Sequence, residues 1–209
     1  MEIIKNKNFS LKESCVTIGK FDGLHIGHQS LFKVMNSFRE KYKLTVFTFE
    51  QKKNMDGTEK LSDSKANELK VTSEKDVLCK GDSSIKIYSD EKKESFLRKY
   101  GIDYLIEYPF DDETRNTEAE MFVENVMVKA MDVKVLIVGD NFRFGKNRRG
   151  DCELLKELSK KYKFELVIVP CIKYENRNVS STLIREMISK GNFENAERLL
   201  ADEFWKKEI

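Results

Sequence analysis

His25 and His28 are the two histidines of the 209-residue chain, and both lie in the glycine-rich stretch 19–28. The run at 15–18 before them predicts a short buried strand, and apolar residues at helical spacing after them predict a helix. A strand-to-helix turn offers free backbone N–H groups and a helix dipole, which favour phosphate. Imidazoles at positions i and i+3 of a helix lie on one face. The pattern predicts a phosphate site, with two structural histidines as the alternative.

A second candidate phosphate site lies at 179–186, where the sequence reads Val-Ser-Ser-Thr-Leu-Ile-Arg-Glu. Ser180 or Ser181 would cap a helix, and Arg185 would follow one turn later. Hydroxyls, free N–H groups and a guanidinium in this order suit a triphosphate. An ordinary N-cap is the alternative, and the histidine turn upstream favours the phosphate interpretation.

These two turns need a scaffold, and the rest of the chain alternates predicted strands and helices. Apolar runs rich in β-branched and aromatic residues predict five strands, at 15–18, 44–49, 104–106, 133–138 and 164–169. The alternation indicates an α/β fold, a Rossmann-like doubly wound parallel five-stranded sheet with helices on both faces. Ligands of such folds bind beyond the carboxyl ends of the strands, where the strand order reverses. The histidine turn follows such an end.

Caps and apolar spacing define further helices. The helix predicted over 90–100 has acids in its first turn and a glycine just past its end. Thr117 and Glu120 predict a capping box, and Asp151 predicts another N-cap. The residues expected to face the core are Leu31, Met35, Phe38 and Tyr42 after the histidine turn, Phe122, Val126 and Ala130 after the capping box, and Leu154, Leu155 and Leu158 after Asp151.

One stretch interrupts the alternation. Residues 51–85 are rich in Lys, Asp, Glu, Ser and Asn and carry few large apolar side chains. Such a segment buries too little apolar surface to offset the entropy of ordering it, which predicts a mobile, disordered insertion. A functional flap is the alternative. The domain is expected to span 1–200, with 201–209 as a C-terminal tail.

Composition argues against several kinds of partner. The formal charge is +2, from 38 basic and 36 acidic residues, so no nucleic-acid partner is expected. No signal peptide or long apolar run is visible, which predicts no membrane association. The four cysteines show no Cys-x-x-Cys spacing and indicate reduced thiols in a cytoplasmic protein. Two histidines and scattered cysteines predict no metal site built by the protein alone.

Three motifs, in order along the chain, carry a resemblance to a known family. They read Gly-Lys-Phe-Asp-Gly-Leu-His-Ile-Gly-His-Gln at 19–29, Val-Gly-Asp-Asn-Phe-Arg-Phe-Gly at 138–145 and Ser-Ser-Thr-Leu-Ile-Arg at 180–185. They resemble the adenylyltransferase module of prokaryotic bifunctional riboflavin kinase/FAD synthetases, within the HxGH nucleotidyltransferase superfamily. The likeness extends over most of 13–200, except the polar stretch. It implies a five-stranded nucleotidyltransferase fold and the reaction FMN + ATP → FAD + pyrophosphate.

The resemblance also implies roles for individual residues. His25 and His28 would contact the ATP phosphates, with His28 stabilising the α-phosphorus as it becomes five-coordinate. The implied catalytic residues are His25, His28, Asn141 and Arg185; the implied ATP-binding residues are Gly19, Phe21, Asp22, Gly27, Gly139, Ser181 and Thr182; and the implied flavin-binding residues are Phe49 and Phe110. Mg²⁺, held mainly by the ATP phosphates and near Asn141, is the implied cofactor. Flavoproteins that take up FAD are the implied partners.

The sequence departs from this family in two respects. The family commonly follows its second strand with a Pro-x-Pro segment on the flavin side, whereas this chain has no proline before Pro109. Bifunctional members continue into a riboflavin kinase barrel, which is absent from these 209 residues. The chain is therefore either monofunctional or a piece of a longer protein.

Other functions stay open on sequence alone. An HxGH adenylyl- or cytidylyltransferase for another phosphorylated acceptor, such as phosphopantetheine, shares the first motif, although the Asn-Phe-Arg-Phe-Gly at 141–145 favours the flavin branch. A catalytically inactive regulator that binds a flavin or nucleotide is a second alternative. A class I aminoacyl-tRNA synthetase fragment also carries HxGH, but the near-neutral charge argues against it.

Overall fold

The computed structural model describes residues 1–50 and 86–200, so the predictions for 51–85 and 201–209 lie outside the described residues. In the described part, six parallel strands form the main sheet in the order β1-β4-β3-β2-β5-β6, and β7 and β8 form an antiparallel hairpin. The strands are β1 (Glu2–Ile4), β2 (Ser14–Ile18), β3 (Lys43–Phe49), β4 (Tyr104–Tyr108), β5 (Val133–Gly139), β6 (Glu165–Val169), β7 (Lys173–Tyr174) and β8 (Arg177–Asn178). The helices are α1 (Ile26–Asn36), α2 (Asp90–Lys99), α3 (Asp112–Asn116), α4 (Ala119–Phe122) with a π-helical continuation (Val123–Ala130), a 3₁₀ turn (Lys146–Arg148), α5 (Cys152–Tyr162), α6 (Ser181–Ser189) and α7 (Phe193–Arg198).

Helices cover both faces of the main sheet. Neighbouring residues of β5 point to opposite sides, so Val135 and Ile137 join one apolar core while Leu136 and Val138 join the other. All four side chains are fully buried. Apolar residues of α1, α2 and α6 fill the first core, and those of α4, the π-helix and α5 fill the second. The predicted Rossmann-like, doubly wound α/β fold is confirmed.

The main sheet has one strand more than the five predicted, and the additional strand lies at its edge. The five predicted strands all form, as β2 to β6, and β1 adds a sixth by pairing in parallel with β4. β1 spans three residues, of which Glu2 is exposed and Ile3 lies opposite Leu105. A strand this short carries too little apolar alternation to be recognised from sequence.

The predicted capping box of Thr117 and Glu120 is wrong. Thr117 follows the end of α3, and its hydroxyl donates to the Glu113 carbonyl at 2.8 Å, four residues back. The continuation of α4 is π-helical, with five residues rather than four between bonded groups. This wider turn brings Met127 into the core and leaves Ala130, expected to face inward, half-buried.

α1 is shorter than the apolar spacing predicts. It ends at Asn36, and Phe38 and Tyr42 lie in the turns that follow, where the Tyr42 N–H donates to the Phe38 carbonyl at 3.0 Å. Both rings pack against the first core. Their apolar character therefore reflects burial rather than helical periodicity.

The predicted starts of α2 and α5 agree with the structure. The Asp151 carboxylate accepts hydrogen bonds from the N–H groups of Glu153 and Leu154, at 3.1 and 3.0 Å, so this N-cap is confirmed. α2 begins at Asp90 as predicted and ends at Lys99, one residue before the expected end. Both helices therefore start where a short polar side chain satisfies free backbone N–H groups.

Gly145 closes the loop after β5 against the start of α4. Its φ is +70°, and a Cβ at this position would lie 2.6 Å from the Ala119 Cα. The next residue is tied to the same region, since the Lys146 N–H donates to the Thr117 carbonyl at 2.9 Å. Glycine satisfies both the backbone angle and the close approach. The loop at 140–150 is thereby fixed beside the carboxyl end of β5.

Gly145→Ala should destabilise the chain more than Gly191→Ala, which is the matched control. Both glycines have positive φ, 70° and 74°, and Gly145 also has a ψ of −179°, so substitution at either strains the backbone by about 1–3 kcal/mol. A Cβ at Gly191 meets nothing within 4 Å, whereas the clash with Ala119 should cost Gly145→Ala a further amount of about 1–3 kcal/mol. Urea unfolding of the two variants measures the difference. Equal losses would show that the loop moves aside at no cost.

Candidate active site

The strand order of the main sheet reverses at β2, which has β3 on one side and β5 on the other. Both neighbours pair with β2 in parallel. The connections that leave β2 and β5 go to opposite faces of the sheet and open a crevice at their carboxyl ends. Gly19 begins the loop after β2, Gly139 ends β5, and Asn141 follows it. The histidine turn and Asn141, predicted separately, therefore border the same crevice.

The turn between β2 and α1 is buried and has unusual backbone angles. Phe21, Gly23 and Leu24 have φ values of +50°, +79° and +41°. Phe21 and Leu24 are fully buried, which holds their conformations in place. The first N–H of α1, on Ile26, donates to the Leu199 carbonyl at 2.9 Å, so the turn also rests on the chain after α7.

The two imidazoles stack on each other at the start of α1. Their ring centroids are 3.7 Å apart with 18° between the ring planes, and the Phe21 ring lies 5.0 Å from that of His28. Gly27 lies between them in the first turn of the helix. The Nδ1 atoms of both rings are buried and have no hydrogen-bond partner within the described part of the chain. The predicted shared face is therefore a tight stack at the floor of the crevice.

Burial keeps both imidazoles neutral at pH 7. It lowers the pKa of His25 from 6.5 to about 4. It also lowers the pKa of His28 well below 6.5, and repulsion from a charged His25 lowers it further. A neutral imidazole carries one N–H donor and one acceptor nitrogen. The pair therefore offers hydrogen bonds rather than fixed positive charge.

The start of α6 lies directly against the histidine turn. Ser180 is the N-cap, and its hydroxyl accepts a hydrogen bond from the Leu183 N–H at 3.2 Å. The Ser181 hydroxyl donates to the Asp22 carbonyl at 2.8 Å. Arg185, one turn into the helix, forms an ion pair with the Asp22 carboxylate. The two predicted phosphate sites are thus one continuous surface, joined through Asp22.

Asp22 is a hydrogen-bond centre that motif reasoning did not recognise. Besides Arg185, its carboxylate accepts the Ile87 N–H at 2.8 Å, and its backbone carbonyl accepts the Ser181 hydroxyl. The motif assigns Asp22 to ATP, whereas in the structure its oxygens accept from protein donors. The one available signal was an acid between Phe21 and Gly23 in a glycine-rich turn. Of the remaining predicted residues, Thr182 and Asn141 are exposed at the surface.

The two predicted flavin residues belong to one aromatic cluster. Phe49 ends β3 and Phe110 follows β4, and their ring centroids are 5.1 Å apart. Phe122 of α4 lies 5.9 Å from Phe49 and extends the cluster. The Arg115 guanidinium lies over the Phe110 ring at 5.6 Å. The sequence predicted Phe122 as a core residue and assigned no role to Arg115, because neither residue belongs to one of the three motifs.

A parallel doubly wound sheet, an HxGH turn at its switch point and a serine-capped helix against that turn together define an α/β fold of the nucleotidyltransferase type. Residues 7–183 match the family model described as FAD synthetase. The chain belongs to the FAD synthetase family.

Relatives of known name agree with this assignment. A bifunctional riboflavin kinase/FMN adenylyltransferase of Buchnera aphidicola subsp. Acyrthosiphon pisum is 30% identical over 191 residues, covering 91% of this chain and 55% of the relative. An FAD synthetase of Listeria monocytogenes is 32% identical over 199 residues, covering 92% of this chain and 70% of the relative. The chain thus spans little more than half the length of the bifunctional relative, at 55%.

A solved structure shares the fold. It is described as a macrolide-efflux protein from Streptococcus pneumoniae, and it matches with a TM-score of 0.71 at 27% identity, covering 94% of this chain and 59% of that one. In the stretches 1–50 and 86–200, no helix is both long and apolar enough to cross a membrane.

Neither imidazole should titrate near pH 6.5 in the ligand-free chain. NMR of ¹⁵N-labelled histidine should show His25 protonating near pH 4 and His28 protonating well below pH 6.5. Because the unfolded chain takes up these protons near pH 6.5, the free energy of unfolding should fall as the pH drops from 6.5 towards 4. His25→Gln assigns the two signals. A midpoint between about 6 and 7 for either ring would contradict the neutral buried pair.

Proposed function

We propose that this chain is an FMN adenylyltransferase, which transfers AMP from ATP to the phosphate of FMN and releases pyrophosphate. One observation carries the proposal. Motif residues 159 positions apart meet at the switch point, where the Ser181 hydroxyl donates to the Asp22 carbonyl at 2.8 Å and Arg185 pairs with the Asp22 carboxylate. The names of the relatives, FMN adenylyltransferase and FAD synthetase, support the same activity.

This reaction asks the protein mainly for position and hydrogen bonds. An oxygen of the FMN phosphate, already anionic at pH 7, attacks the α-phosphorus, and the bond from that phosphorus to the bridging oxygen of pyrophosphate breaks. Attack must be in line with the leaving group. We assign neutral N–H donors of His25 and His28 to the oxygens whose charge grows in the transition state. Arg185, with the backbone N–H groups of Ser181 and Thr182, is assigned to the departing pyrophosphate.

Mg²⁺ is the proposed cofactor of the reaction. Within residues 1–50 and 86–200, no three His, Cys, Asp or Glu side chains come together as a metal site. Asn141 fits the ion best, because its exposed amide follows β5 at the crevice. Mg²⁺ commonly takes one or two protein ligands and completes its shell with phosphate and water oxygens. Bound in this way, it would neutralise part of the charge of ATP.

We assign the flavin ring to the aromatic cluster of Phe49, Phe110 and Phe122. The cluster lies at the carboxyl ends of β3 and β4, on the β3 side of the crevice. Phe49 and Phe110 are half-buried, so each ring retains an accessible edge or face for a planar ligand. This assignment would account for flavin binding without the Pro-x-Pro segment of the family.

We further propose that the enzyme works in the cytoplasm. Cys15, Cys152 and Cys171 carry free thiols, and burial raises the pKa of Cys15 to about 12 and that of Cys171 to about 11. Free thiols suit a reducing compartment. Flavoproteins that take up FAD are the proposed partners there.

The direct test incubates the purified chain with FMN, ATP and Mg²⁺ and detects FAD and pyrophosphate by mass spectrometry. Riboflavin in place of FMN should give no adenylated product, because it lacks the phosphate nucleophile. Phosphopantetheine tests the alternative acceptor. ATP binding without FAD formation from FMN would overturn the proposal and favour an inactive regulator or another acceptor.

His28→Ala should lower turnover by about 10²–10³-fold, the usual loss when one donor to a transition-state oxyanion is removed. The KM for ATP should change much less, since interactions that strengthen in the transition state act on kcat. Asn36→Ala, an exposed position at the far end of α1, is the control and should retain wild-type kinetics. Near-normal turnover of the His28 variant would exclude it from the chemistry.

Phe110→Ala should raise the KM for FMN by about three- to tenfold, as expected for the loss of one aromatic contact. The KM for ATP should stay nearly constant, because the cluster lies on the other side of the crevice from Asn141. Phe193→Ala removes a ring that is 44% exposed on α7 and serves as the control. Equal changes in both KM values for Phe110→Ala would indicate a general loss of structure.

A further inference from the structure

Asp22 holds the guanidinium that the proposed reaction needs for pyrophosphate. The two side chains form an ion pair, with 8% of the Asp22 side chain and 18% of the Arg185 side chain exposed. The pair joins residues 163 positions apart, from the turn after β2 and from α6. The Asp22 carboxylate therefore already balances the positive charge of Arg185 in the described structure.

A pyrophosphate bound to Arg185 would lie close to the Asp22 carboxylate. Like charges this close repel strongly where protein excludes water. Phosphate oxygens and the carboxylate also compete for the same N–H donors of the guanidinium. The Asp22 carboxylate therefore lowers the affinity of Arg185 for any phosphate.

Asp22 would keep its position if Arg185 turned towards a phosphate, because two other hydrogen bonds hold it. The Ile87 N–H donates to its carboxylate at 2.8 Å. The Ser181 hydroxyl donates to its backbone carbonyl, so the residue is anchored at a second point. The carboxylate thus retains a hydrogen bond without the guanidinium and stays in position to take it back.

We propose that Asp22 acts through Arg185 as an internal competitor of pyrophosphate: it recaptures the guanidinium as the product leaves and so speeds release. The inference rests on the proposed function in that it takes pyrophosphate to be the leaving group. Asp22 is on this account a positioning residue, which does not touch the reacting atoms. A purely structural role would instead make Asp22 variants less stable and leave their affinity for pyrophosphate unchanged or weaker.

The test is calorimetric titration of Mg²⁺-pyrophosphate into the full chain and its variants. Asp22→Asn keeps an oxygen for the Ile87 N–H and removes the charge, and it should bind pyrophosphate about tenfold more tightly. Product inhibition by pyrophosphate should strengthen by a similar factor, with kcat lowered. Glu186→Gln is the charge-matched control: it removes a carboxylate from the same helix, where Glu186 pairs with Arg177, and should leave pyrophosphate affinity unchanged.

Asp22→Ser gives a second, smaller substitution that retains an acceptor, and circular dichroism reports whether each variant folds. Unchanged or weaker pyrophosphate binding by the folded variants would overturn the inference. Unfolding of both variants would also overturn it, since Asp22 would then serve the fold. The titration needs no turnover, so tighter pyrophosphate binding by Asp22→Asn, without FAD formation by the wild-type chain, would reject FMN as the acceptor and still show that Asp22 competes with pyrophosphate for Arg185.

Discussion

The structure depends on the parallel pairing of β2 with a neighbour on each side. β3 and β5 both bond to β2 over most of its length, so its carboxyl end lies at the centre of the sheet rather than at an edge. The chain then leaves β2 and β5 towards opposite faces, and the crevice follows from that divergence. Because β5 is buried on both faces, its end cannot shift without disturbing both cores. This pairing fixes the position of Asn141 relative to the histidine turn.

Burial of the histidines and pairing of the arginine keep the net charge of the site low. The stacked imidazoles are neutral, and the half-buried Arg185 is paired with Asp22, so the crevice floor carries little net charge. An ion pair that is mostly buried contributes little to stability by itself, because the desolvation of its members offsets their attraction. Its value lies in fixing how the turn after β2 meets α6. We expect a site of this kind to bind phosphate by directed hydrogen bonds, which favours selectivity over tight binding.

The central scaffold was predictable because β2 to β6 are apolar runs, several of them buried on both faces. β1 was not, since three residues carry no periodicity. Thr117 matches the capping-box pattern, but the pattern cannot tell that α3 ends there and takes its hydroxyl. His25, Ser181 and Arg185 were recognisable from residue type and spacing. Ser181 and Arg185 meet Asp22, which lies more than 150 positions away along the chain, and no local pattern encodes such a contact.

The π-helix at Val123–Ala130 restricts where residues can be inserted into or deleted from this chain. Each residue of a regular helix turns the chain by about 100°, so deleting one residue here would rotate everything beyond it by that angle. Phe122 lies just before this segment and belongs to the aromatic cluster. Met127 lies within the segment and packs in the second core. Both contacts hold only while the wide turn is retained. Among related proteins, insertions and deletions should therefore accumulate in loops, and the residue count of this helix should be inherited unchanged.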